Sequence, residues 1–328
     1  MDTAGEFCVS PNVGYRCPMP RKLRLEEVGG LYHVINRGNY RYPVFHSVGA
    51  AAAFEQTLWD TLGRFNWRLH GYALMPNHFH LVVETPLPNL STGMHWLECT
   101  YATRFNRFRS ERGHVFQGRY QALRIENGAA LARVVDYIHL NPVRAKLISE
   151  PHLVGFRWSS LGRLVNGNRP LGLVADLLLS QWGLPDEAQS WLHYVEHLRA
   201  LAADAAEQKR LGFDQFSRGW AIGTAGWKRS LAKELRNKSL IGLAHAESLA
   251  LREARWLALL DECLACAGKT EADLKPLSST KCTQPWCINI ADKLHAAGAP
   301  YAWLAKKLCI PKPNSLRVKL FRMHGVSM

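Results

Sequence analysis

Between residues 31 and 126 the sequence alternates strand-like and helix-like segments in an order that few folds accommodate. The periodicity of the apolar residues predicts strand, helix, strand, strand, helix and strand at residues 31–36, 48–65, 67–74, 78–84, 90–112 and 120–126. This order is typical of a ferredoxin-like sandwich, an α+β fold whose antiparallel sheet carries both helices on one face. We therefore predict this fold, with the other face of the sheet open to a substrate.

Two histidines stand at the start of the third predicted strand, in the run MPNHFHLVVET. Residues two apart in a strand project from the same face, so His78 and His80 are expected side by side while Phe79 points into the core. Two neighbouring imidazoles can share one divalent metal ion. The spacing alone leaves a second interpretation open, in which they are half-exposed strand histidines that bind nothing.

A further helix is predicted at residues 128–140, which are apolar and periodic. Tyr137 and Asn141 are four residues apart and therefore share one face of this helix, with Arg133 one turn earlier. Pro142 disfavours helical geometry at Asn141, so we expect the helix to end or kink there. On the pattern alone, Tyr137 also fits a tyrosine at the edge of the core, and Asn141 fits a helix cap.

The charge of the chain indicates a polyanionic partner. Its 328 residues include 41 Lys and Arg against 27 Asp and Glu, a formal net charge of +14. Nucleic acid is the first candidate. An anionic membrane is the weaker one, because there is no apolar run of spanning length and no basic amphipathic anchor. No membrane partner is therefore expected.

The cysteines indicate a reducing compartment. No secretory signal is recognisable at the N-terminus, so we expect a cytoplasmic protein without disulfides. The spacing of Cys263, Cys266, Cys282 and Cys287 resembles that of a zinc ribbon. Helical periodicity places the first pair on a buried face, which favours reduced thiols in a core over a zinc site.

The C-terminal region is predicted to be mainly helical and to end in a helix-turn-helix. Helices are expected at residues 286–297, 301–308 and 314–322, and the last of them carries Arg317, Lys319 and Arg322. This spacing fits a DNA-reading unit, although a plain three-helix bundle with a basic surface fits as well. The predicted domain organisation is a flexible arm, a catalytic domain, a helical domain and a DNA-binding domain, at residues 1–20, 21–165, 171–268 and 275–328.

Several blocks in order resemble one protein family. MPNHFHLVVET, RFNRFRSERGHVFQGRY and YIHLNPVRAKL together resemble the REP-associated tyrosine transposases, a bacterial branch of the single-tyrosine HUH nucleases. The resemblance begins at PRKLRLEEVGGLYHVINRGNYRYPVF and ends at FRWSS, so it covers residues 20 to about 160. It implies that His78 and His80 bind Mg²⁺ or Mn²⁺, that Asn141 completes the metal site and that Tyr137 is the nucleophile.

The resemblance also implies an activity. It is that of a metal-dependent single-stranded DNA endonuclease and strand transferase, which acts at REP-type palindromic hairpins through a 5′-phosphotyrosine. Two alternatives remain: a transposase-derived DNA-binding protein that does not cleave, and a metal phosphodiesterase that uses water. Monomer and dimer both remain open, and a bacterial cytoplasmic protein that joins the nucleoid when bound to DNA is expected.

Basic residues along the chain are the expected DNA contacts. Arginines interleaved with aromatic residues, as in residues 101–112, suit contact with the backbone and bases of a single strand, although a solvated basic face has the same pattern. The residues predicted to contact DNA are Arg21, Lys22, Arg24, Arg37, Arg104, Arg107, Arg119, Arg133, Arg144, Arg317, Lys319 and Arg322.

Overall fold

The structure is a computed structural model and describes residues 26–235, 245–274, 284–310 and 312–323. Its first six elements are β1 (Gly30–Arg37), α1 (Val48–Phe65), β2 (Arg68–Met75), β3 (His78–Thr85), α2 (Leu90–Arg109) and β4 (Gln121–Ile125). The predicted order and the α+β fold class are confirmed. The predicted arm at residues 1–20, the basic residues Arg21, Lys22 and Arg24, and Cys282 lie outside the described residues.

The later elements are mainly helical, as predicted. They are α3 (Ala129–Arg144), α4 (Ser160–Val165), α5 (Asp176–Ser180), α6 (Ala188–Ala203), α7 (Ala205–Arg210), β5 (Ala221–Ile222), α8 (Ala225–Glu234), α9 (His245–Cys266), α10 (Pro285–Ala296), α11 (Tyr301–Lys307) and α12 (Pro313–Met323). In the part of the chain that the structure describes, no helix has the length and apolar character needed to span a bilayer.

The sheet has the strand order β2-β3-β1-β4-β5. The first four of these strands pair antiparallel, and β5 adds a short parallel strand beside β4. Pro76 and Asn77 connect β2 to β3 as the predicted hairpin. In the central pair, Ile35 of β1 lies opposite His80 of β3. This register places His33, two residues before Ile35, on the same face as His80.

One face of the sheet is covered by α1 and α2. Phe79 points to this side and meets the Phe54 ring of α1 at 4.9 Å between centroids, and Tyr101 of α2 contacts Phe54 at 5.1 Å. Ser47 caps the start of α1 by accepting a hydrogen bond from the Ala50 N–H, and Asn66 ends it with φ 53°. Aromatic packing therefore fixes β3 from behind, on the face opposite to the two histidines.

The other face of the sheet is not open, contrary to the expectation from sequence. Helix α3 lies against β2 and β3 on this face, with its Tyr137 ring on His80. Nor does α3 end at Asn141: it continues through Pro142 to Arg144. Proline lacks only its own N–H, and the backbone around it is bonded, because the Ala145 N–H donates to the Asn141 carbonyl.

A buried polar network holds α3 to α4 and α6. The Tyr194 hydroxyl of α6 donates to Asp136 Oδ1 at 2.9 Å, so it accepts from His139 Nδ1, also at 2.9 Å. His139 Nε2 lies 2.8 Å from Ser160 Oγ, at the start of α4. Burial lowers the pKa of His139 to about 3, so its ring is neutral near pH 7. Asp136 and His139 flank Tyr137 in sequence, and their bonds therefore fix the segment that carries it.

The described residues form three hydrophobic cores. The first extends from Leu31 to Ile222, the second joins α9 to α10, α11 and α12, and a smaller third core joins α8 to the first part of α9. Cys263 and Cys287 are buried in the second core, and Cys266 is exposed. The domain boundaries predicted from sequence stay predictions.

Replacing Tyr194 with Phe is expected to lower the free energy of unfolding by about 1–3 kcal/mol, because Asp136 and His139 each lose a buried partner. Urea unfolding followed by circular dichroism measures this change. Tyr40→Phe is the matched control: Tyr40 is 93% exposed, and its change should stay within about 0.5 kcal/mol. Equal effects of the two substitutions would show that the network does not stabilise the fold.

Candidate active site

His78 and His80 project from one face of β3, as the strand spacing predicts. Their ring centroids are 5.0 Å apart. His78 is half-buried, and His80 is only 2% exposed. Burial is the main cause that lowers the pKa of His78, to about 4, with the Arg37 charge adding to it. Burial also holds the pKa of His80 well below its usual range. Both rings are therefore neutral near pH 7, with one lone pair each.

A chain of hydrogen bonds fixes which nitrogen of His80 carries its lone pair. The Phe216 carbonyl can only accept, so His33 Nδ1, at 2.9 Å, donates to it. The neutral His33 ring then has its lone pair on Nε2, which accepts from His80 Nδ1 at 2.9 Å. His80 Nε2 is left as the lone-pair nitrogen. Outer hydrogen bonds of this kind orient histidines that bind metals.

His78 is held in the same tautomer by its neighbour. Asn77 Oδ1 accepts from His78 Nδ1 at 2.7 Å, and the Asn77 amide nitrogen donates to the Arg41 carbonyl, which confirms the orientation of the amide. His78 Nε2 is therefore the lone-pair nitrogen. Both histidines thus have Nε2 available on one face of the sheet.

Tyr137 lies over these histidines. Its ring contacts His80 at 5.6 Å and His33 at 5.9 Å between centroids, in both cases edge-on. The side chain is 7% exposed. Its hydroxyl lies 3.0 Å from Ser217 Oγ. The structure therefore brings the tyrosine predicted on α3 to the histidines predicted on β3.

Aromatic and cationic groups complete the surroundings of Tyr137. Phe213 and Phe216 each contact its ring at 5.6 Å, nearly perpendicular to it. The Arg144 guanidinium lies 4.9 Å from the ring centroid. A cation at this place stabilises negative charge that develops on the phenol. Sequence reasoning predicted Arg144 as a DNA contact but not this contact with Tyr137.

Sequence reasoning missed His33, Phe213, Phe216 and Ser217. For His33 a signal existed, because it stands at an alternate position of the first predicted strand. The other three follow α7, about eighty residues beyond Tyr137. Nothing in the local pattern of residues 213–217 connects them with a site.

Asn141 lies one turn after Tyr137 on α3 and is 8% exposed. Its Nδ2 is buried and has no hydrogen-bond partner among the described residues. In the ranges that the structure describes, no group of three or more His, Cys, Asp or Glu side chains could hold a metal ion. Two imidazoles and an amide are nevertheless ligands that suit Mn²⁺, with phosphate or water oxygens at the remaining positions. The residues present therefore fit a divalent metal.

The predicted DNA contacts fall into two groups in the structure. Arg37 pairs across the strands with His78, while Arg133 and Arg144 lie on α3 with Tyr137, so these three surround the site. The members that the structure places elsewhere are Arg104 and Arg107 on α2, Arg119 before β4, and Arg317, Lys319 and Arg322 on α12.

Arg104 is engaged on the far side of the sheet. Its guanidinium donates to Thr57 Oγ1 at 2.7 Å and lies 3.4 Å from Asp60 Oδ2, both on α1. This arginine therefore joins the two helices of the layer that carries no catalytic candidate.

Comparison with known proteins finds a family model that matches one segment of the chain. Residues 28–141 match the family model described as "Transposase IS200 like". One similar solved structure is a REP-associated tyrosine transposase bound to a REP hairpin, with 18% identity over 48% of this chain and 93% of that chain and a TM-score of 0.39. Another is a candidate transposase from Deinococcus radiodurans R1, with 19% identity over 39% and 92% and a TM-score of 0.27. No curated protein matches this chain.

The match makes the segment at residues 28–141 similar to the IS200-like transposases, a class of DNA-processing enzymes. This segment contains His78, His80, Tyr137 and Asn141. The recognition made from the sequence is confirmed at this level.

Replacing His33 with Phe is expected to weaken Mn²⁺ binding by about 10- to 100-fold, because the His80 Nδ1–H loses its acceptor and the ring is free to turn. Calorimetric titration of Mn²⁺ measures the change. His33→Gln, whose amide oxygen can accept the same hydrogen bond, should recover part of the affinity. His95→Phe, at an exposed position of α2, is the control. Unchanged affinity in His33→Phe would contradict a positioning role.

Proposed function

We propose that this protein is a metal-dependent single-stranded DNA endonuclease and strand transferase that uses Tyr137 as its nucleophile. The observation that carries the proposal is the contact of the Tyr137 ring with His80, beside two histidines whose Nε2 lone pairs are both available. These residues lie in the segment that matches the transposase family.

The proposed reaction is one transesterification. Tyr137 Oη attacks a DNA phosphorus, the P–O3′ bond breaks, the phenol loses its proton and the 3′ oxygen leaves as a hydroxyl. The products are a 5′-phosphotyrosine and a free 3′-hydroxyl. Because the phosphodiester is exchanged and not hydrolysed, a second 3′-hydroxyl can reverse the step and join a new strand without ATP.

Each residue of the site has a separate role in the proposed reaction. His78, His80 and Asn141 would hold Mg²⁺ or Mn²⁺, which when bound supplies positive charge to the phosphate oxygens. Arg144 stabilises the negative charge on the tyrosine oxygen as the proton leaves. Ser217 orients the Tyr137 hydroxyl through the 3.0 Å contact. Phe213 and Phe216 limit the access of water to the tyrosine, and this favours strand transfer over hydrolysis.

The proposed partner is single-stranded or hairpin DNA, with REP-like palindromes as the first candidates. The net charge of +14 supports a polyanionic partner. Arg37, Arg133 and Arg144 around Tyr137 would contact the strand, and the helix-turn-helix-like α10, α11 and α12 would add affinity for the duplex of a hairpin. The proposed location is the bacterial cytoplasm, at the nucleoid when DNA is bound.

Tyr137→Phe is expected to abolish a covalent protein–DNA adduct. Wild type and variant are incubated with Mn²⁺ and hairpins labelled at the 3′ end, and labelled protein is detected on a denaturing gel. The label stays with the protein because the attack leaves the 3′ part of the strand on the tyrosine. Tyr40→Phe, an exposed tyrosine, should form the adduct as wild type does.

Other results would favour other functions. Hairpin binding without an adduct in wild type would indicate a binding protein that does not cleave. Cleavage that survives Tyr137→Phe without any adduct would indicate a phosphodiesterase that uses water.

Removal of metal is expected to stop adduct formation reversibly. EDTA should reduce the labelled band to background, and Mn²⁺ or Mg²⁺ added in excess should restore it, because the phosphate is no longer polarised without the ion. His78→Ala should raise the Mn²⁺ concentration needed for half-maximal adduct, since one ligand is lost. An adduct of equal intensity in EDTA would rule out the proposed metal role.

A further inference from the structure

A cationic cleft lies beside the catalytic centre, outside the segment that matches the transposase family. Its volume is about 610 Å³, within the range of about 300–1,000 Å³ found for ligand pockets. The loop after α7, strand β5, the start of α8 and one side of α9 form its walls. Most of it is therefore built by residues 210–229 and 250–257, which sequence reasoning left without a function.

The charges in this cleft are strongly unbalanced. Its lining side chains include five cationic groups and one carboxylate, that of Glu253. Glu253 accepts a hydrogen bond from Trp303 Nε1 at 2.9 Å, so it is already engaged. The cationic residues of the lining are Arg133, Arg210, Arg218, Lys228 and Arg229.

Two of these cations form ion pairs within the described residues, and three do not. Arg210 forms a bidentate pair with Glu207, and Arg229 lies near Asp261 and Glu271. In the part of the chain that the structure describes, the Arg133 side chain bonds only to the Ala129 carbonyl of its own helix. The side chains of Arg218 and Lys228 form no hydrogen bond or ion pair with any residue in the described ranges.

The positive charges of the cleft also act on one another. Lys228 is half-buried, and burial is the main cause that lowers the pKa of its ammonium. The nearby Glu126 carboxylate opposes this shift, and the Arg133 charge adds to it. Like charges held together out of water raise the free energy of the empty cleft. An anion between them would remove this cost. The N-terminal end of α8 already binds the Glu126 carboxylate, which accepts from the Thr224 N–H at 2.6 Å, so the side chains of the cleft are the groups left for a phosphate.

The cleft shares a wall with the site of Tyr137. Phe216 lines the cleft, and its ring contacts that of Tyr137 at 5.6 Å. Arg133 lines the cleft from α3, one turn before Tyr137. A strand with one phosphate at Tyr137 therefore has a neighbouring nucleotide within reach of the cleft. Apolar lining from Leu211, Ile222 and Leu257 leaves a surface for the base.

We propose that this cleft binds a phosphodiester and its nucleotide in the single-stranded flank that continues from the strand held at Tyr137. The inference rests on the proposed function for its DNA partner. It assigns to Arg133, Arg218 and Lys228 the contact with the flank, and it gives residues 210–229 and 250–257 a part in choosing which strand enters the site.

The test measures binding of a fluorescent hairpin by anisotropy, with the full chain carrying Tyr137→Phe so that no strand is cut. Four hairpins are compared: both flanks, the 5′ flank only, the 3′ flank only, and none. The double variant Arg218→Ala/Lys228→Ala should lose about tenfold affinity for hairpins with the flank that enters the cleft and less than twofold for the hairpin without flanks. The slope of log affinity against log salt should fall by about 1.4, at about 0.7 for each single-strand phosphate contact.

Two control variants test whether weaker binding results from a general loss of positive charge or from misfolding. Lys209→Ala/Lys306→Ala removes the same charge from exposed positions outside the lining and should affect all four hairpins equally. Arg218→Lys/Lys228→Arg keeps both charges and should restore flank-dependent binding if the first variant is folded. A free deoxynucleoside monophosphate at millimolar concentration serves as competitor, and it should not displace the flanked hairpin.

The outcomes separate the cleft from the catalytic proposal. Equal losses on hairpins with and without flanks in the Arg218/Lys228 variant would contradict binding of the flank in the cleft, even if wild type forms the tyrosine adduct. So would a flank-dependent loss in the Lys209/Lys306 control as large as that in the Arg218/Lys228 variant. Displacement of the flanked hairpin by the monophosphate would show that the cleft binds a free nucleotide, and it would contradict binding of the single-stranded flank. Flank-dependent binding that disappears in the double variant would support the cleft even if wild type forms no adduct, in which case only the cleavage step is refuted.

Discussion

The hydrogen bond between His33 Nε2 and His80 Nδ1 is the interaction on which the site depends. It exists because β1 and β3 are central neighbours in the sheet and because their register places both imidazoles on one face. A slip of one residue would turn His80 into the aromatic layer beneath the sheet and bring Phe79 to the surface of the site. The same strand pairing therefore sets the core packing on one face of the sheet and the tautomer of His80 on the other. Phe79 contributes to the site through this packing, although it does not contact the site.

The position of Tyr137 results from a different set of contacts. On the side of the sheet, its ring rests on His33 and His80, whereas the neighbours Asp136 and His139 bind Tyr194 on the other side of the helix. Helix α3 is thus held by hydrogen bonds on the side away from the sheet and by ring contacts on the side that faces the sheet. Asp136, His139 and Tyr194 are buried and hydrogen-bonded to one another. Their hydrogen bonds fix the direction in which α3 is attached, which apolar packing alone would not do.

The sequence predicted the parts of the site that follow from local geometry. The pairing of His78 with His80 needs only the strand period, and that of Tyr137 with Asn141 only the helical one. His33 could not be assigned in the same way, because its distance from His80 depends on the register between two strands. Ser217 and the phenylalanines beside it come from about eighty residues farther along the chain, where no periodicity connects them with α3. The prediction that α3 ends or kinks at Asn141 was wrong about the end, because the helix continues through Pro142, where it loses a single N–H, to Arg144.

The net charge of +14 is a poor guide to where DNA lies, because many cations are used to hold the fold. Arg163 binds buried Glu55, and Arg68 joins Glu84 to Asp176, so neither charge is available to a phosphate without breaking an ion pair. Within the described ranges, the cations without such partners include Arg37 beside His78, Arg144 over Tyr137, and Arg133, Arg218 and Lys228 in the cleft. These five lie at or next to the proposed catalytic centre. The positive charge without ion-pair partners thus extends from the histidines past the tyrosine to the cleft, and under the proposed function it would hold a single strand on both sides of the phosphate under attack.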